Sequence, residues 1–159
     1  FVGGDEIEGI DGKSFLKALF GKEKEHRRFA YGIHNNIPEG TAYPIRSIRD
    51  KRYKLILNLT PEVEYFEKHL MNLKNERSVW ASWIESTKTD KRARYFVDRY
   101  VKRPAIEFYD MQKDPWELNN LAEEKKYAKR IAMMKGELEA WMRQQGDTGA
   151  QMDVKIKKQ

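Results

Sequence analysis

Cysteine is absent from this sequence of 159 residues. That removes a disulfide framework, a Cys-based zinc site and a cysteine nucleophile from the chain. No apolar run approaches the ~18 residues that a membrane-spanning helix needs. Five Pro and 10 Gly are too few for a collagen-like or linker composition. The opening residues, Phe1-Val2-Gly3-Gly4-Asp5-Glu6, have neither the basic start nor the apolar stretch of a signal peptide. A chain that starts on Phe rather than Met is expected to be a piece of something longer. Catalytic signatures are missing as well: there is no H-E-x-x-H, no Gly-rich phosphate loop and no G-x-S-x-G elbow. His26, His34 and His69 are too scattered to form a helical metal pair.

Apolar residues make up 40% of the chain and aromatics 12%, enough for a globular core and against a disordered tail. Charged residues reach 35%, so the surface is densely charged. The net charge of +6 and an isoelectric point near 9.4 suit an acidic partner such as nucleic acid, anionic lipid or a sulfated or phosphorylated ligand. A solvated surface with a lysine surplus accounts for them as well, since net charge bears on solubility and non-specific binding rather than fold. Basic residues are interleaved with acids, as in Lys22-Glu23-Lys24-Glu25 and Glu123-Glu124-Lys125-Lys126. Trp80, Trp83 and Trp141 fall on apolar helical stripes. No specific nucleic-acid recognition is therefore expected, only salt-sensitive phosphate contact.

Residues 1–27 read as a connector broken by Gly3-Gly4, Gly9, Gly12 and Gly21, with a short amphipathic helix from Ser14 to Phe20. Its apolar face (Phe15, Leu16, Leu19, Phe20) has little local material to bury against. Strands are expected over Arg28 to Ile33, Tyr43 to Arg49 and Arg52 to Leu59, the last with Tyr53, Leu55, Leu57 and Leu59 on one face at period 2. Asp50-Lys51 turns the second of these into the third, and Pro44 belongs at a strand start or edge. Thr60-Pro61-Glu62 reads as a helix start, with Val63, Phe66, Leu70 and Leu73 at helical spacing behind it. Two further helices carry Val79 to Ile84 and, after Thr89-Asp90, Ala93 to Val101. Pro104 stops the last of these, and Ala105 to Tyr109 is a fourth strand. A long helix from about Ala122 to Gln145 shows Tyr127, Ile131, Met134, Leu138 and Trp141 as one apolar stripe and stops at Gly146. Met152 to Gln159 reads as a basic, frayed end.

The segment from Tyr31 to Arg46 is the most informative chemically. It joins two strands by a loop of about nine residues, longer than the ~2–5 usual in hairpins. It carries His34, Asn35, Asn36 and Glu39, with Arg46 just beyond. Such residues hydrogen-bond sugar hydroxyls, and an arginine fork grips a sulfate or carboxylate. The alternative is that the Asn and Gly residues make turns and Arg46 pairs with a nearby acid. The segment from Glu107 to Leu121 reads instead as architecture, its Asp110, Asp114 and Asn residues being turn and cap formers.

Tyr109-Asp110, Asp114-Pro115, Glu117 and Asn120-Leu121 resemble the "YD…DPxExxNL" stretch near the C-terminus of type I, formylglycine-dependent sulfatases. Tyr43-Pro44-Ile45-Arg46-Ser47-Ile48-Arg49, followed by Tyr53-Lys54-Leu55-Ile56 and Asn58-Leu59, is similar to the heparan N-sulfatase branch and its bacterial relatives. Asp11-Gly12-Lys13-Ser14-Phe15-Leu16 resembles the stretch where a sulfatase catalytic domain hands over to its smaller C-terminal domain. The resemblance implies a larger parent whose N-terminal domain holds a formylglycine, made from a C/S-x-P-x-R motif, and a calcium ion. None of that machinery is carried here: the chain has no Cys, and no Ser is followed by x-Pro-x-Arg. No catalytic residue and no metal ligand is assigned in this chain.

The expected fold is α+β: a small, about four-stranded antiparallel sheet with a long C-terminal helix packed on it. A helical insertion over about 61–103 precedes the last strand. The expected division is a connector at 1–27 and a sulfatase C-terminal domain at 28–159. His34, Asn35, Asn36, Glu39 and Arg46 are the expected substrate-binding residues. The resemblance implies as partners the N-terminal catalytic domain of the same parent and a sulfated glycan, with N- or O-sulfated glucosamine of heparan type as the substrate. It also implies a periplasmic, secreted or lysosomal-type parent. A stand-alone basic module for sulfated glycan or nucleic acid, and a purely structural domain, remain the alternatives.

Overall fold

The computed structural model describes residues 9, 12–35, 40–74 and 78–152. Four strands, β1 (Ala30–His34), β2 (Ile45–Arg49), β3 (Tyr53–Asn58) and β4 (Ile106–Asp110), form one antiparallel sheet in the order β1-β2-β3-β4. A short helix α1 (Leu16–Leu19) precedes the sheet. Helices α2 (Val79–Ser86) and α3 (Lys91–Val101) lie between β3 and β4, and α4 (Ala128–Gln144) follows β4. The expected α+β class, four-stranded sheet, helical insertion and long final helix are all present.

Alternation in the strands divides the core in two. Ile48, Leu55, Leu57 and Phe108 lie on one face and pack against Ile131, Met134 and Leu138 of α4. Fully burying such side chains contributes about 1.5–3 kcal/mol each. Ile45 lies on the opposite face of β2, where Tyr43, Tyr65, Met71, Trp80 and Val97 form a second cluster under the insertion. Lying between β2 and β4 and covered on both faces, β3 is buried from Leu55 to Asn58.

The β2–β3 turn follows its expected chemistry. Asp50 Oδ1 accepts the backbone N–H groups of Arg52 and Tyr53, each at 2.7 Å. Ser78 Oγ caps α2 by accepting from Ala81 N–H, and Asp90 caps α3 by accepting from Arg92 and Ala93 N–H. Pro44 sits immediately before β2, as a residue without a backbone donor should.

Two expectations need correction. No helix forms among residues 61–74. Val63 N–H closes a single turn on Thr60 O, and Tyr65 N–H then bonds Val101 O at 2.8 Å instead of its own segment. The Glu67 carboxylate accepts from His69 and Leu70 N–H, fixing a turn where a helix would continue. The long helix also starts later than Ala122. Asn120 Oδ1 accepts from Phe108 and Ala122 N–H, tying the chain to β4, and a 3-10 turn (Lys125–Tyr127) leads into α4. The tail beyond Met152 lies outside the described residues.

Candidate substrate loop

The end of α4 is the starting point for the site. Gly146, at φ 67°, lets the chain turn back. Asp147 N–H bonds Met142 O at 2.8 Å, and Gly146 N–H bonds Arg143 O at 3.1 Å, the paired bonds of a Schellman stop. Asp147 is thereby fixed against the sheet, and its Oδ1 also accepts Gly149 N–H at 2.8 Å.

Arg46 projects from β2 on the same face as Ile48 and is only 1% exposed. Its Nε donates to Asp147 Oδ2 at 2.5 Å and its Nη2 to Asp147 Oδ1 at 3.1 Å. The Nη1 group donates to Asn35 Oδ1 at 2.9 Å and to Ile45 O at 3.1 Å. Hydrogen bonding from Arg46 holds the Asp147 carboxyl below the usual carboxylate range, against the opposing effect of burial. The fork that would grip a sulfate is engaged by Asp147, so any part Arg46 plays toward substrate runs through Asn35.

His34 ends β1 and is exposed, its ring 6.1 Å from that of Tyr65. Asn35 opens the loop, and its carbonyl accepts Tyr43 N–H at 3.0 Å, closing the loop's base. Tyr43 is fully buried, edge-on to Tyr65 at 5.4 Å, and Tyr65 meets Tyr100 in the same way at 5.5 Å. On the far side, Gly40 forms an antiparallel bridge with Glu67. The structure places His34, Asn35 and Arg46 at one end of the sheet, with Arg46 bonded to Asn35 on the α4 face and the His34 ring turned toward Tyr65 on the insertion face. Asn36 and Glu39 lie outside the described residues. No local sequence pattern marks Asp147 as the partner of Arg46, 101 positions away. The only sequence signal at Asp147 is its place after the Gly146 stop.

A cavity of about 600 Å³ opens between the insertion and the sheet, walled by Ile56, Trp83, Phe96, Tyr100, Arg103 and Trp116. Trp83 and Trp116 are exposed there, although the sequence pattern places Trp83 in the core. Beneath it the buried Glu107 accepts from Asn58 Nδ2 at 2.8 Å and from the Tyr109 hydroxyl, while Arg99 donates to Tyr109 at 2.6 Å. Burial, reinforced by Glu107, pushes the Tyr109 hydroxyl well above its usual range. Each carboxylate oxygen of Glu107 has a donor, which makes this a load of paired polar groups holding β4 to α3.

The Glu107–Leu121 segment is architectural as its residues suggest. Asp114 accepts Asn119 N–H at 2.7 Å, and Glu117 takes a left-handed φ of 54° while pairing with Lys54 at 2.9 Å. Among the described residues no cluster of three or more His, Asp or Glu is arranged to hold a metal. Nor is any helix there long and apolar enough to cross a membrane.

No protein-family model matches the chain. Its homologues are sulfatases. It is 34% identical over 152 residues to an ulvan-active sulfatase of Formosa agariphila, covering 92% of this chain and 27% of that protein. It is 24% identical over 147 residues to human N-sulphoglucosamine sulphohydrolase, covering 87% of this chain and 27% of that one. The chain therefore spans about a quarter of the length of the curated relatives it matches. A protein solved in complex with its substrate D-glucosamine-2-N,6-O-disulfate shares the fold, with a TM-score of 0.54 at 21% identity over 91% of this chain and 22% of that one.

Proposed function

We propose that this chain is the C-terminal domain of a larger sulfatase and that the loop from His34 to Arg46 walls the pocket for a sulfated glycan. The observation that carries the proposal is the 34% identity to an ulvan-active sulfatase across 92% of the chain. The loop geometry supports the pocket role. An exposed imidazole at the strand end and an amide braced by a buried ion pair suit the recognition of hydroxyls and sulfate oxygens. In this reading His34, Asn35, Asn36 and Glu39 face the sugar, and Arg46 holds Asn35. Residues 1–27 connect to the catalytic domain, and 28–159 are the domain itself.

The substrate is a sulfated sugar. N- or O-sulfated glucosamine of heparan type is proposed on the strength of the sulphohydrolase relative and the earlier motif resemblance. The parent is proposed to be periplasmic, secreted or lysosomal-type. Its chemistry would use a formylglycine nucleophile and a calcium ion supplied by the N-terminal domain. Neither group fits the residues described here, because the chain has no Cys, no S-x-P-x-R motif and, among the described residues, no ligand cluster. This chain's own contribution is binding and orientation. The reading frame upstream of Phe1 tests the proposal: a C/S-x-P-x-R motif there supports it, and a start codon close to Phe1 contradicts it.

A further inference from the structure

We infer that Asp147 is a positioning residue for the substrate loop. Through Arg46 it orients the Asn35 side-chain amide as a hydrogen-bond donor toward an oxygen-rich anionic group such as the sulfate of a sulfated sugar. The inference deepens the sulfatase reading and rests on it.

The link is continuous from the end of α4 to the root of the loop. The Schellman stop fixes the Asp147 backbone, and the Gly149 N–H fixes one carboxylate oxygen. Two bonds then hold the Arg46 guanidinium in a single plane. Arg46 is anchored at its other end as well, since β2 pairs it with Ile33 on one side and Leu57 on the other. The remaining Nη1 group reaches Asn35. A guanidinium has donors only, so the Asn35 atom facing it must be the carbonyl oxygen. The amide NH2 is therefore the branch directed away from Arg46.

The electrostatics separate this arrangement from a direct arginine clamp. Asp147 neutralises Arg46 inside the protein, where both side chains are almost wholly buried. The pair brings rigidity to the loop with no net charge. Selectivity for an acceptor-rich ligand then falls on neutral donors at the loop root, with Asn35 first among them. Without Asp147, Arg46 would be a buried cation free to leave Asn35, and the amide would lose its fixed sense.

Two variants of the full-length parent test the inference, Asn35→Asp and Asp147→Ala. The first keeps an acceptor for Arg46 but replaces the outward NH2 by a carboxylate oxygen. It should raise KM for a heparan-type disaccharide sulfate or an ulvan oligosaccharide, whichever the wild type accepts, by about 10-fold or more. Its kcat should fall far less, and its melting temperature should hold. The second should speed amide hydrogen exchange across residues 34–46 in folded protein and raise KM in the same direction. Unchanged KM in Asn35→Asp, or unchanged exchange across 34–46 in folded Asp147→Ala, would overturn the inference. If the wild-type parent released sulfate from no substrate, the sulfatase reading would fall. The exchange measurement would then decide the Asp147–loop link by itself.

Discussion

The Arg46 guanidinium and the Asp147 carboxylate, 101 positions apart in sequence, meet as a two-bonded buried pair that joins β2 to the end of α4. Both groups give up water to do so, and each is compensated by the other. Removing one partner strands the other.

Arg46→Ala and Asp147→Ala should therefore each lower the unfolding free energy by about 3–5 kcal/mol. A double replacement by apolar residues of similar size, Arg46→Met with Asp147→Leu, should cost much less than either single change. Denaturant titrations of the three variants check this. Equal, small losses for all three would show the pair to be energetically idle.

The same pair sets a response to acid. The Asp147 carboxyl is held low by Arg46, and the Asp110 carboxyl is held low by Arg52. A carboxyl lowered on folding adds stability that is complete above its unfolded value of ~3.9 and is lost as pH falls through the folded value. The melting temperature should stay level from neutrality to about pH 5 and drop steeply below about pH 4. The Arg46→Met, Asp147→Leu double variant should show a shallower acid drop. A melting temperature that rises on acidification would contradict the assignment.

Much of the fold was legible because it is local. Period-2 alternation at Tyr53, Leu55 and Leu57, the Asp50 turn, and the cap residue Asp90 each act within a few positions of themselves. The Tyr127-to-Trp141 stripe places α4 correctly, and Trp141 stacks on Tyr31 at 4.6 Å. The segment from Pro61 to Leu73 misled because its spacing is helical while its bonding is not. Tyr65 N–H is taken by Val101 O, 36 positions later, and no local pattern records that. The site was half legible for the same reason. His34, Asn35 and Arg46 are near neighbours along the loop and its flanking strands, but the acid that engages Arg46 comes from the far end of the chain.

Phe15, Leu16, Leu19 and Phe20 have the poor burial expected of the connector, none of them below 39% exposure. Contiguous apolar surface of several hundred Å² is uncommon on monomers. Released from its parent, this domain should bind a hydrophobic dye and self-associate, and Phe15→Ser with Leu19→Ser should reduce both. Light scattering and dye fluorescence check it. A monodisperse, dye-silent wild-type domain would remove the patch as a docking face for the catalytic domain.

His34 is exposed at the loop root, and the proposed pocket role has it contact a sugar hydroxyl there. His34→Ala in the full-length parent should raise KM for the glycan roughly 2- to 12-fold, the worth of one neutral hydrogen bond. The loss on p-nitrophenyl sulfate, which lacks the sugar, should be smaller, and the melting temperature should shift little. Equal losses on both substrates with a lowered melting temperature would assign His34 to structure instead.

The most direct test of the account is sulfate release, followed by ion chromatography, from sulfated heparan-type and ulvan oligosaccharides. The full-length parent and the 159-residue chain alone should be compared side by side. Sulfate should be released by the parent and not by the chain alone, which has no Cys and no S-x-P-x-R motif to supply the nucleophile. Release by the purified chain alone, or none by the parent on any sulfated sugar, would contradict the account.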